Sequence, residues 1–536
     1  MMWGCKMSKK AFINGKIYTA DEKNLWAEAI IINKSTIEYV GSNIDVMELF
    51  SDVDTVIDLN GKLVVPGFID SHAHIIMGGF YLLSVDLTKV VSVDEFITRL
   101  KDYTTSNPGK MIVGGNWNHQ NWDIKEMPNK KMIDEFTQDI PVFIHRMDYH
   151  SALANSYALK LAEITKDTPN PDGGTIVKDP ITGEPTGMLK DKAMDLVANK
   201  LPERSEEEFE KACLTALDEA KRLGVTSIHD IAYKNDFRTF QKLLKKNKIT
   251  TRIYTRLPIE KCYDLINTEI ENPFGNELLK IGSLKAFADG SLGSYTALFF
   301  EPYIDDKESF GLAMDTLSNG KIREWALAGD KANLQLSIHA IGDKANSMIL
   351  DIAEELENTN GNKDRRFRIE HAQHLHPKDI KRFKDLKIVA SMQPYHLYDD
   401  GCWAVTKIGE DRLKLTYAFK TLINEGVKVC FGSDWPVVTM DPILGIYTAV
   451  TRHTMDGKNP NGLVPEEKLT VKEAVDCYTI NAAYASYEED IKGSITKGKF
   501  ADFVVLSEDI FTIEPAKIKD VKVSKTIFNG EIIYSA

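Results

Sequence analysis

A chain of 536 residues exceeds one ordinary domain, although a single barrel with insertions reaches this size. Its net charge of -13 argues against a nucleic-acid or anionic-membrane partner, and no apolar run approaches the ~18–20 residues of a membrane helix. Cys5, Cys213, Cys262, Cys402, Cys430 and Cys477 are scattered without C-x-x-C spacing, which argues against a disulfide frame. Reduced thiols, ordinary hydrophobic (43%) and charged (27%) fractions, and a polar Met1–Lys10 stretch too short for a signal peptide predict a cytoplasmic globular protein.

The chain opens with strand signals. Ala11 to Thr19 reads as a hairpin around Asn14-Gly15, followed by short strands at Ala29–Ile32 and Thr36–Val40. The far end carries Phe503–Leu506 and a second Asn-Gly turn, Asn529-Gly530, inside Thr526–Tyr534. Each terminal segment is too small to fold alone, so residues 1–65 and 495–536 are expected to complete one small β-sandwich domain. Two unrelated hairpins are the alternative.

Leu63 to Ile69 is an apolar strand interrupted by Pro66-Gly67, and it runs into His72-Ala73-His74. Residues two apart on a strand point the same way, so His72 and His74 present two imidazoles to one point. That arrangement suits Zn²⁺ or a similar divalent ion; two histidines on a wet loop are the bland alternative.

From there strand and helix signals alternate. Strands are predicted at 225–230, 251–257, 281–287, 334–339, 366–371, 388–392 and 427–432, eight with the one before His72. Capping boxes Ser205/Glu208 and Thr470/Glu473 open two helices, the first with Phe209, Ala212, Cys213, Ala216, Leu217 and Ala220 on one face. The pattern predicts a (β/α)8 TIM barrel over 66–494. Residues 75–203 break the repeat and read as a large insertion after the first barrel strand. It has strand-like runs at Met111–Gly114 and Val142–Arg146 and a turn-rich segment from Asp167 to Gly187.

Functional side chains of a barrel gather at the C-terminal strand ends. The first strand ends in His72 and His74, the fourth carries Lys285 and then Asp289, the fifth ends in His339, the sixth in His371 and the eighth in Asp434. Five strands with ligand-type residues at their ends exceed what chance supplies. The set H-x-H, Lys, His, His and Asp resembles the amidohydrolase superfamily. Its branch containing N-substituted formamide deformylase is resembled by Pro66–His74, Ile338–Asp343, Ile369–Gln373 and Gly432–Pro436, and also by Lys285–Thr296 and Asp148–Ser156. Lys492–Asp502 looks like the superfamily's return into its β domain.

The resemblance implies a hydrolase of a non-peptide C–N bond, amide or formamide in type. His72, His74, Lys285, His339 and His371 would hold one or two divalent ions, zinc first, with N6-carboxylysine at Lys285. A metal lowers the pKa of bound water towards ~7, supplying hydroxide. Asp434 would take its proton and return it to the leaving amine; for a lone Asp before Trp-Pro, a turn or cap role is the alternative. A small-molecule substrate, and a homodimer by analogy with the branch, complete the expectation.

Trp117, His150, Asp289 and Trp435 are candidate substrate contacts, with Trp122, Tyr395 and Trp403 as further aromatic candidates. Core packing is the common fate of such aromatics. His229 ends the second strand and is a candidate to support the metal ligands, with a core histidine as the common alternative; His145, His374 and His376 read as structural or surface residues. Two other functions stay open: a one-metal deaminase of an amino-heterocycle with unmodified Lys285, and a non-catalytic barrel.

Overall fold

The structure, a computed structural model, describes residues 9–49, 53–146 and 151–536. Eight parallel strands form the centre: β1 (Phe68–Ala73), β2 (Val225–Ile231), β3 (Arg252–Pro258), β4 (Leu279–Phe287), β5 (Gln335–Ala340), β6 (Arg368–His371), β7 (Val389–Met392) and β8 (Lys428–Phe431). They neighbour one another in chain order from β1 to β8. The ring closes beyond β8, where Ala73 bridges Trp435, Asp434 N donates to His72 O at 2.6 Å, and His74 N donates to Trp435 O at 2.9 Å. Strands buried on both faces read as continuous apolar runs, which is why β2 to β8 lie within about two residues of their expected bounds.

The predicted Leu63–Ile69 strand is two strands. Leu63–Pro66 pairs with Lys16–Tyr18 and Phe503–Leu506 in a terminal sheet, whereas β1 begins at Phe68 and pairs with β2. Gly67 is the crossing point. A Cβ there would stand 2.1 Å from Thr226 Oγ1 and 2.9 Å from its Cβ, so rotating the Thr226 side chain would not make room.

The terminal segments build two sheets, of four and six strands, over a shared core that includes Phe12, Ile17, Ile30, Phe503 and Ile527. Asn14-Gly15 is not a hairpin turn. Lys9–Ile13 pairs with Ala29–Asn33 and Thr55–Asp58, and Lys16–Tyr18 with Trp26–Ala27 and Leu63–Pro66, so the turn carries the chain from one sheet to the other. Asn529-Gly530 does join two paired strands, Val523–Phe528 and Glu531–Ser535. Arg252, at the start of β3, ties the barrel to the terminal sheets through Asp502 Oδ2 (2.7 Å) and Asn529 Oδ1 (2.5 Å).

Contacts divide the chain into two compact units, 1–76 with 216–536, and Met77–Thr215. The second has its own five-stranded sheet and a core that includes Leu87, Phe96, Trp117 and Ile144. Its turn-rich segment holds two antiparallel strands, Gly174–Lys178 and Pro185–Asp191. Flanking Pro and Gly residues hide strands of only five and seven residues. Both predicted capping boxes form, at the starts of Glu206–Arg222 and Val471–Cys477. Among the described residues no helix is long and apolar enough to cross a membrane.

Candidate metal centre

The alternation of β1 brings His72 and His74 to one carboxylate. Asp434 Oδ1 lies 3.4 Å from His72 Nε2 and 3.1 Å from His74 Nε2. From β6, the His371 ring packs 4.8 Å from His72 and 4.4 Å from His339 of β5, centroid to centroid. The backbone is strained here: His371, Ala372 and Asp434 have φ of 73°, 44° and 61°, in the left-handed region that non-glycine residues rarely adopt.

A buried polar layer fixes this arrangement. Glu370 precedes His371 on β6 and is wholly buried. Its Oε2 lies 2.5 Å from His72 Nδ1, and its Oε1 lies 2.9 Å from Arg256 Nη1 and 2.8 Å from Arg368 Nε. Burial acts to raise the Glu370 pKa, but the two guanidinium groups outweigh it and hold the carboxyl well below its usual range. A carboxylate on the far nitrogen of a ligand histidine fixes its ring orientation and raises its basicity. Arg368 also donates to Ser71 O (2.7 Å) and to His229 Nδ1 (2.9 Å), which places His229 beneath the centre as a packed, supporting residue. Asp70 joins the ends of β1 and β8, accepting from His72 N, Ser433 N and Ser433 Oγ at 3.0, 2.9 and 2.5 Å.

The other sequence candidates fall as follows. Lys285 is buried on β4, with Nζ 3.9 Å from the Phe287 ring centroid and donating to Ala286 O at 3.2 Å. His339 Nε2 stands 3.1 Å from Gly290 O, so His339 meets the centre through its contact with His371. Asp289, a candidate substrate contact from the sequence, ties the loop after β4 to the end of β5. Its wholly buried carboxylate accepts from Leu298 N, Ile341 N and Gly342 N at 2.8–2.9 Å. Trp117, another candidate substrate contact from the sequence, is 0% exposed in the core of its own unit and donates Nε1 to Ile144 O. Trp435 is 4% exposed, and its backbone closes the barrel against His74. His150 lies outside the described residues.

Sequence reasoning misses two contributors. Glu370 enters it only as part of a strand-end motif. His396 lies in the helix Pro394–Asp400 after β7, with Nε2 3.9 Å from Asp434 Oδ2 and its ring stacked on His371. A signal for His396 is present: β7 is a strand end left without a ligand, and Pro394 marks a helix start just before it.

The donor set fits a divalent cation. His72, His74 and Asp434 offer ligand atoms within 4.8 Å of one another, and so do His371, His396 and Asp434. Burial lowers the pKa of His74, His339 (to about 3) and His371, so these rings are neutral and have a lone pair to give. Burial acts to raise the Asp434 pKa, but His72 and His74 hold it well below its usual range, so the carboxylate is ionised. His396 Nε2, which faces Asp434 Oδ2, is buried without a hydrogen-bond partner among the described residues, at a cost of about 1–3 kcal/mol that a bound cation would relieve.

The amidohydrolase family profile matches residues 55–534. The chain belongs to that family. It is 40% identical over 537 residues to Protein LONG AFTER FAR-RED 3 of Arabidopsis thaliana, spanning 97% of this chain and 91% of the relative. It is 28% identical over 549 residues to N-substituted formamide deformylase of Arthrobacter pascens, spanning 99% of each. An uncharacterized metal-dependent hydrolase from Pyrococcus horikoshii OT3 superposes with a TM-score of 0.81 at 29% identity, covering 95% of this chain and 99% of that one.

In this amidohydrolase, His396→Ala is expected to weaken divalent-cation binding by about 10-fold or more. Competition with a chromophoric chelator measures it, with circular dichroism as the check on folding. Unchanged affinity would remove His396 from the centre.

Proposed function

We propose that the chain is a metal-dependent hydrolase that cleaves a non-peptide carbon–nitrogen bond in an amide or formamide. The observation that carries this reading is the convergence of His72, His74, His371 and His396 on the Asp434 carboxylate. The full-length likeness to N-substituted formamide deformylase supports the choice of bond.

His72, His74, His371 and Asp434 would hold the cation, zinc being the ion a nitrogen-rich donor set favours. When bound, it supplies Lewis acidity and a water acidic enough to ionise near neutral pH. Asp434 accepts the proton of the attacking water at a carboxylate oxygen and returns it to the leaving nitrogen, because a C–N bond breaks poorly until the nitrogen is protonated. Glu370 holds the His72 ring in place through Nδ1. Lys285 is the site we assign to carboxylation: its amine adds to CO2, a new N–C bond forms and one proton is lost, giving a carbamate with two oxygen donors. Burial pulls the Lys285 pKa down to about 7, which supports a partly neutral, reactive amine.

A panel of N-substituted formamides, other amides, lactams and amino-heterocycles tests this reading. The expected result is release of amine and acid from a formamide or amide, lost on chelation and restored by zinc or manganese. Ammonia release from an amino-heterocycle with no amide cleavage would overturn it in favour of a deaminase.

A further inference from the structure

A cavity of about 470 Å3 adjoins Lys285 and is lined from the ends of β2, β3 and β4. Its size suits a small organic group. Two of its aromatic rings touch the histidines of the centre. Tyr233 stacks on His74 with centroids 5.7 Å apart at 17°, and Phe287 lies 5.4 Å from His339. Both rings keep accessible surface, 48% for Tyr233 and 38% for Phe287. Ile259 and Met314 extend the apolar lining. One side of each ring is engaged, Tyr233 by His74 and Phe287 by Lys285 Nζ, and the surface each residue still exposes is what a flat apolar group covers with gain.

Two carboxylates, Glu260 and Asp315, line the same cavity and are exposed. Glu260 lies just beyond the end of β3, and Asp315 opens the short helix Asp315–Ser318. An anionic substituent reaching Glu260 and Asp315 would be repelled by both acids, whereas a cationic one would be drawn to them.

We propose that this cavity is the substituent pocket of the substrate, and that it selects an amide or formamide bearing an aromatic group that ends in a protonated amine. The inference rests on the hydrolase reading above and adds to it the class of substrate. Tyr233 and Phe287 receive the ring, and Glu260 and Asp315 receive the ammonium.

The metal-loaded full chain is assayed with N-benzylformamide and with its 4-aminomethyl and 4-carboxy derivatives, at low ionic strength. The expected order of kcat/KM is aminomethyl, then unsubstituted, then carboxy, with at least a tenfold span from first to last. In Glu260→Gln/Asp315→Asn the ratio of aminomethyl to carboxy turnover is expected to collapse towards one. In Tyr233→Ala the advantage of N-benzylformamide over N-methylformamide is expected to fall. Equal turnover of the aminomethyl and carboxy compounds by the unaltered chain, or an undiminished ratio in the double variant, overturns the proposal. If none of the three compounds is hydrolysed, the wider amide panel decides the hydrolase reading, and calorimetric binding of the same three compounds decides the pocket by the same order of affinity.

Discussion

Asp434→Asn is expected to lower kcat by about 10^2- to 10^4-fold, the usual worth of a positioned proton-transfer group. The substitution is a clean one. Asp434 sits at φ 61°, a conformation that asparagine tolerates as well as aspartate, so the chain end after β8 keeps its path. What is lost is the ionised carboxylate that faces His72, His74 and His396. Cation affinity should fall together with turnover, while circular dichroism stays unchanged. If Asp434 only shaped the turn before Trp435-Pro436, kcat would remain within a few-fold of the parent chain.

Glu370→Gln is expected to produce the largest loss of stability. Its carboxylate is the shared counter-charge of Arg256 and Arg368, both wholly buried. Removing it leaves two guanidinium groups without their partner, and breaking a buried ion pair costs about 3–5 kcal/mol. The His72 ring also loses the group that orients it, which costs about 10- to 100-fold in metal affinity. A denaturant titration and a chelator competition read the two effects separately. Breaking the exposed Asp411–Lys414 pair by Asp411→Asn serves as the comparison and should leave the midpoint where it is.

The barrel is legible in the sequence because parallel strands covered on both faces are written as short, uninterrupted apolar runs. The strand-end residues follow from it, since His72, His74, His371 and Asp434 interrupt those runs at the positions where a barrel presents side chains. Asn14-Gly15 misleads because a turn that changes sheets uses the same left-handed residues as a hairpin turn; only the pairing of the flanking strands separates them. Glu370 is illegible for another reason. Its role depends on Arg256 and His72, which arrive from β3 and β1 and share no local pattern with it. Trp117 illustrates the limit for aromatics, because a ring buried in the core of its own unit and a ring lining a pocket look alike in sequence.

The central claim is that the strand ends hold a divalent cation, and an anomalous-scattering map of the purified chain, supported by elemental analysis, tests it most directly. The account predicts at least one ion per chain, bonded to His72, His74 and Asp434. A chain that hydrolyses its substrate after exhaustive chelation, or an anomalous peak remote from these three side chains, would contradict it.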